Sequence, residues 1–168
     1  MTRARAFTLV EVMIVVLLLG ILATITARTI AQSNKSACES TLKFDLQLLR
    51  RFIIMYAAHH NEVAPGYPDG DRAAAPTEEA FIAQARLSSN EKGQTALRRT
   101  PGFKFGPYLS KVPTNPFNKL DTVAILADGA AFPATASDKY GWICKPQSGE
   151  IRPDNVGTED GGKRYYDY

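Results

Sequence analysis

The sequence predicts an α+β protein in which a long N-terminal helix packs against a small antiparallel β-sheet domain. Three observations predict it. No proline or glycine occurs between Ile21 and Val63, so nothing in that stretch interrupts a helix. Leu42, Leu46, Leu49, Ile53 and Tyr56 recur at alternating spacings of four and three residues, the period that puts side chains on one helical face. Beyond residue 120, short apolar runs are closed by turn residues, the pattern of short strands. With 168 residues, 45% hydrophobic and 22% charged, the chain has room for one modest domain besides that helix.

The first element is apolar. After Met1–Ala6, which carries Arg3 and Arg5, the stretch from Phe7 to Ile25 holds one ionisable residue, Glu11. Such a run is close to the roughly 20 residues that a membrane-spanning helix needs. The two arginines before it predict a cytoplasmic N-terminus and an extracytoplasmic remainder. A cleavable secretory signal, a generic signal anchor and a buried core helix are the competing readings. None of them accounts for Glu11, because a charge within a membrane helix costs about 2.5 to 3.5 kcal/mol on insertion scales. Removal of residues 1–6 would create an α-amino group on Phe7 near the same depth, a partner for Glu11 of its own or a neighbouring subunit.

The helix is expected to continue through residues 28–61. From Phe7 to Asn61 it would extend about 80 Å at about 1.5 Å per residue, more than a small domain covers. Its first half must therefore meet lipid or other subunits. The alternative is a tether followed by a separate helix, with a break at Ser33-Asn34-Lys35-Ser36, where serine and asparagine are poor helix formers. The apolar face from Leu42 to Tyr56 is the side that should carry the globular domain.

Residues 62–168 form that domain. Val63 to Gly70 contains two prolines and two glycines and ends the helix. Thr77 is a candidate N-cap for a short helix over Glu78–Leu87, with Phe81, Ile82 and Ala85 toward a core. Gly102 to Phe117 is aromatic and punctuated by proline, which predicts ordered loop. Thr122–Ala127, Tyr140–Lys145 and Glu150–Arg152 are the expected strands, and Trp142 should be buried among them.

Other features exclude more than they assign. The net charge is +3 and the Lys and Arg residues are scattered, without the basic stripe of a duplex-binding protein, so nucleic-acid binding is not indicated. His59 and His60 point about 100° apart on a helix and do not chelate one ion together. No Ser, His and acid triplet and no pair of acids stands in a catalytic frame, so an enzyme is not expected. Cys38 and Cys144 lack metal-site spacing. They either remain thiols or pair outside the cell, which requires Cα atoms within about 7 Å. The tail from Asp154 to Tyr168 offers oxygen ligands on a glycine-rich loop, the chemistry calcium prefers, although its spacing is not that of an EF-hand.

Ala6-Phe7-Thr8-Leu9-Val10-Glu11, behind a short basic leader and ahead of an unbroken apolar run, resembles the processing site of type IV pilins and type II secretion pseudopilins. Gly106-Pro107-Tyr108-Leu109, Val112-Pro113-Thr114-Asn115-Pro116-Phe117 and Gly141-Trp142-Ile143 followed by Gly149-Glu150-Ile151 are similar to the major pseudopilin of type II secretion systems. The resemblance implies a pilin-like α+β fold, with 1–6 as leader, 7–27 as transmembrane and filament-core helix, 28–61 as its extracytoplasmic continuation and 62–168 as the globular domain. It also implies cleavage between Ala6 and Phe7 by a prepilin peptidase, N-methylation of Phe7, and registration of subunits by Glu11. Ala6 departs from the family, which almost always places glycine there. Calcium near the C-terminal end is a further implication, with Asp154, Asn155, Glu159 and Asp160 as candidate ligands.

The function implied is that of a filament subunit of the inner membrane that catalyses nothing and polymerises in the periplasm or at the cell surface to support type II protein secretion. Its partners would be copies of itself, the peptidase, an inner-membrane assembly platform, minor pilin-like subunits and, before assembly, membrane lipid. A true type IV pilus serving adhesion, motility or DNA uptake is the alternative of the same class. A monomeric membrane-tethered binding module is the alternative from another.

Overall fold

Helix α1 (Leu9–His59) is a single run of 51 residues, without proline and with Gly20 as its one glycine. The computed structural model describes residues 8–168, and at positions 24–28 the backbone only. The predicted leader 1–6 and Phe7 therefore lie outside the described residues. No break occurs at Ser33–Ser36: helix propensity there is weak, but no residue removes a backbone donor. The helix stops where Asn61 and Glu62 take positive φ, a conformation that asparagine tolerates better than most residues. The chain divides into two compact units, residues 1–38 and 39–168, and α1 contributes to both.

In the unit 39–168, Leu42, Leu46, Leu49, Ile53 and Tyr56 are all at most 3% exposed. The face predicted by their spacing is the core face. Phe52 joins them, edge-on to Phe81 with ring centroids 5.4 Å apart. Phe81 comes from α2 (Glu78–Arg86), which begins as expected: the Thr77 hydroxyl accepts the Ala80 N–H at 3.1 Å, and Glu78 and Glu79 complement the helix dipole. Ala85 also enters the core, whereas Ile82 is half-buried. Gln84 is buried as well, accepting the Gly66 N–H at 2.7 Å and donating to the Tyr67 carbonyl at 2.7 Å. It pins the turn that leaves α1 against α2.

Two small sheets complete the unit. Ser88–Ser89 (β1) pairs antiparallel with Thr95–Ala96 (β2), and Ser89 also bridges Phe105. The 102–117 stretch is otherwise irregular, as expected. The second sheet holds Val123–Ile125 (β3), Trp142–Lys145 (β4) and Glu150–Pro153 (β5) in the order β3-β4-β5.

The sequence reading of this second sheet as antiparallel is corrected. β4 and β5 are antiparallel, with Trp142 opposite Pro153, but β3 and β4 are parallel, with Val123 opposite Trp142. A tight turn forces the antiparallel arrangement, while the long connection 126–141 is a crossover of the length parallel pairing requires. Trp142 lies fully buried, its indole N–H donating to the Pro113 carbonyl at 2.9 Å.

Candidate processing and assembly site

The N-terminus of α1 is built by two side chains that cap each other. The Thr8 hydroxyl accepts the Glu11 N–H at 3.2 Å, and the Glu11 carboxylate accepts both the Thr8 backbone N–H and its hydroxyl at 3.0 Å. This is a reciprocal capping box, which satisfies backbone donors that a helix start leaves without partners. Thr-x-x-Glu before an apolar run was legible in the sequence as such a cap. Reading Glu11 for its charge alone passed over it. The carboxylate therefore has a local structural task beside any role between subunits.

Beyond that cap the helix surface is apolar and bare. Every large aliphatic side chain from Leu9 to Leu22 is more than half exposed. Among the described residues no helix is long and apolar enough to cross a membrane. The apolar stretch with described side chains runs over 9–23, about 22 Å of helix against roughly 30 Å of hydrocarbon. The membrane-embedded half expected from the sequence is thus not supported by the structure itself.

The other predicted residues are dispersed. His59 lies on the surface, stacked on Phe105 and within 2.8 Å of the Tyr108 hydroxyl. His60 turns inward, its Nδ1 2.7 Å from the Tyr56 carbonyl and its Nε2 3.0 Å from the Ser89 hydroxyl. A histidine beside a serine resembles half of a hydrolytic site. Yet both are sealed in the core, at 2% and 0% exposure, where no substrate reaches them. Cys144 lies buried in β4 as a thiol, which burial makes harder to ionise. Cys38, half-buried on α1, is also a thiol in the structure.

The four calcium candidates do not assemble. The buried Asp154 carboxylate accepts the Ser137 N–H at 2.6 Å and the Ser137 hydroxyl at 2.7 Å, and the N–H groups of Lys139 and Tyr140, each at 3.1 Å. Three of those bonds fall on Oδ2 and one on Oδ1, so the carboxylate is engaged on both oxygens. The Asn155 side-chain oxygen accepts from Asn115. Glu159 accepts the Tyr168 hydroxyl at 2.7 Å and the Lys43 ammonium at 3.1 Å, and these two hold it below the usual carboxylate range. Asp160 sits in the turn beside it. Calcium needs six to eight available oxygens, and at Glu159 it would face an ammonium group, so this arrangement does not fit the ion. Among the described residues no group of three or more His, Cys, Asp and Glu side chains is placed to hold a metal.

What these residues do is tie the tail to the domain. Arg50 donates to the Tyr168 carbonyl at 2.8 Å, and the Tyr165 hydroxyl donates to Glu39 at 2.8 Å. Sequence spacing carried no sign of these contacts, which join positions more than a hundred residues apart. Chemistry in the described residues therefore points back to the N-terminal cap and its bare apolar helix. Comparison with the curated proteins and with the solved structures returned no match. Residues 1–27 of the 168 match the family model described as the prokaryotic N-terminal methylation motif, so this chain carries the N-terminal signature of type IV pilin-like proteins.

Proposed function

We propose that this chain is a filament subunit, cut between Ala6 and Phe7 by a prepilin peptidase, methylated on Phe7, and polymerised through its N-terminal helix. The match of residues 1–27 to the N-terminal methylation motif carries the reading. Two features of the helix support it. Cleavage before Phe7 would leave the Thr8 N–H an ordinary amide, so the Thr8–Glu11 cap would survive processing, and the new amine would lie one residue before that cap. The large aliphatic side chains from Leu9 to Leu22 are all more than half exposed, and exposed apolar surface of this extent marks a lipid or protein contact.

On this reading the subunit waits in the inner membrane with its N-terminus cytoplasmic and residues 39–168 extracytoplasmic. Assembly then exchanges lipid for neighbouring helices. The work is mechanical and no reaction is catalysed. The partners are copies of the chain, the peptidase, an assembly platform and minor pilin-like subunits. The C-terminal motifs around Pro107, Pro113 and Trp142 favour a secretion pseudopilus over a surface pilus.

The test is the intact mass and N-terminal sequence of the protein recovered from membranes of cells with a prepilin peptidase. A chain beginning at N-methylated Phe7 supports the reading. An intact Met1 start would turn it toward a simple membrane tether.

A further inference from the structure

The Lys and Arg residues are scattered along the chain, but one segment is an exception. Residues 86–111 hold Arg86, Lys92, Arg98, Arg99, Lys104 and Lys111 against Glu91 alone. Residues 62–79 hold five acids against Arg72 alone. These two blocks of opposite sign lie in one unit, yet none of the ion pairs among the described residues joins them: Lys104 pairs with Glu91 inside its own block, at 3.1 Å. Their complementarity is unused within the subunit.

Each block presents a shaped surface. In the basic block, β2 runs into a tight turn in which the Thr100 N–H and hydroxyl donate to the Leu97 carbonyl at 3.2 and 2.7 Å. That turn holds out Leu97, at 75% the most exposed large apolar side chain of residues 39–168, with exposed Arg98 and Arg99 beside it. Of the five acids in the acidic block, Glu62 lines a cleft of about 470 Å³ whose apolar lining includes Ile53, Ile54 and Ala57. Asp128 and Arg72 line it too: the Asp128 carboxylate accepts the Tyr67 hydroxyl at 2.6 Å, and Arg72 donates to the Glu62 backbone carbonyl.

We propose that the Leu97–Arg99 tip of one copy seats in the Ile53–Asp128 cleft of the next, with Leu97 against Ile53, Ile54 and Ala57 and the two arginines against Glu62 and Asp128. The inference rests on the filament reading and names a contact within it. Tip and cleft are different surfaces, so the contact is heterologous and repeats from copy to copy without closing, as a filament requires. Apolar burial supplies attraction, and the charges fix orientation and exclude wrong pairings.

The test co-expresses two full-length chains in a Cys38→Ser background, one with Leu97→Cys and one with Ala57→Cys, each with its own tag. Cys144 is buried and stays silent. Oxidation is expected to give a mixed disulfide dimer. Arg98→Glu with Arg99→Glu should reduce it about tenfold or more, since like charges facing each other cost at least that in affinity. Glu62→Lys with Asp128→Lys on the partner chain should restore it.

Filaments are scored in the same cells by electron microscopy. Filaments without the mixed dimer, or a dimer indifferent to charge reversal, overturn this contact and leave the filament reading standing. Absence of filaments overturns the filament reading and the contact with it. A Leu97→Cys chain that links to itself instead would make the contact two-fold and closed, which also overturns it. So would a reversal that lowers retention on anionic vesicles or DNA while leaving the dimer intact.

Discussion

Helix α1 is one element with two chemistries. In residues 9–22 every large aliphatic side chain is more than half exposed, whereas from Leu42 to Tyr56 six apolar positions are almost fully buried. The difference lies in pattern. Over 42–56 the buried apolar residues form one stripe, which one domain can cover, and the remaining positions mix Lys43, Asp45, Arg50 and Arg51 with exposed Phe44, Ile54 and Met55. Over 9–22 apolar residues occupy nearly every position, so the helix is apolar all round and no single neighbour covers it. On the proposed filament reading, such a stretch is covered by lipid and then by neighbouring helices.

Four experiments test that contrast. The largest effect is expected at Glu11, where Glu11→Ala and Glu11→Gln should both abolish filaments, scored by electron microscopy, without loss of the protein from membranes. Glutamine can still close the reciprocal cap with Thr8. Normal filaments from Glu11→Gln beside none from Glu11→Ala would reassign the acid to helix capping alone.

The second compares the two halves of α1 directly. Leu46→Ala should lower the stability of residues 39–168 by about 3 kcal/mol through cavity formation. Leu17→Ala should change it by less than about 0.5 kcal/mol. Urea denaturation of both full-length variants in detergent measures this, and equal losses would mean that the two halves share one core.

The third concerns Asp154, whose carboxylate gathers four hydrogen bonds from the 137–140 loop. Asp154→Ala removes the shared acceptor of four part-buried hydrogen bonds and should cost about 2 kcal/mol. Thermal melts of the unsubstituted chain in calcium and in a calcium chelator should coincide. A melting temperature that rises with calcium would show that the ion displaces these donors.

The smallest effect is expected from pH. Burial is the main cause that holds the His60 imidazole below its ordinary pKa, and His59 adds to it, while the Tyr56 and Asn90 backbones act the other way. The unfolded chain takes up a proton near pH 6.5, where the folded chain still refuses it. The stability from neutral His60 is complete above that pH and is lost as pH falls toward the folded value. Melting temperature should therefore decline between pH 7.5 and 5.5, and His60→Gln should flatten the decline.

Local pattern was enough for a good part of the molecule. The unbroken helix, its core face from Leu42 to Tyr56, the Thr77 cap and the burial of Trp142 all follow from spacing and capping rules that act within a few residues. The parallel pairing of β3 with β4 was not legible, because a long connection permits either direction and packing chooses. The Asp154 cluster was equally hidden: Asp154 in a glycine-rich tail reads as a ligand until residues 137–140 fold over it and donate their N–H groups.

The N-terminal stretch is legible from its residues alone. An all-round apolar helix with a Thr-x-x-Glu cap and two arginines before it is a statement about short-range order, and residues 1–27 suffice to match a motif. Only the tertiary structure decided how the C-terminal domain closes. Lys43 with Glu159, Arg50 with the Tyr168 carbonyl and Glu39 with Tyr165 join residues over a hundred positions apart. Such contacts are set by which surfaces the core brings together, and local spacing carries no record of that.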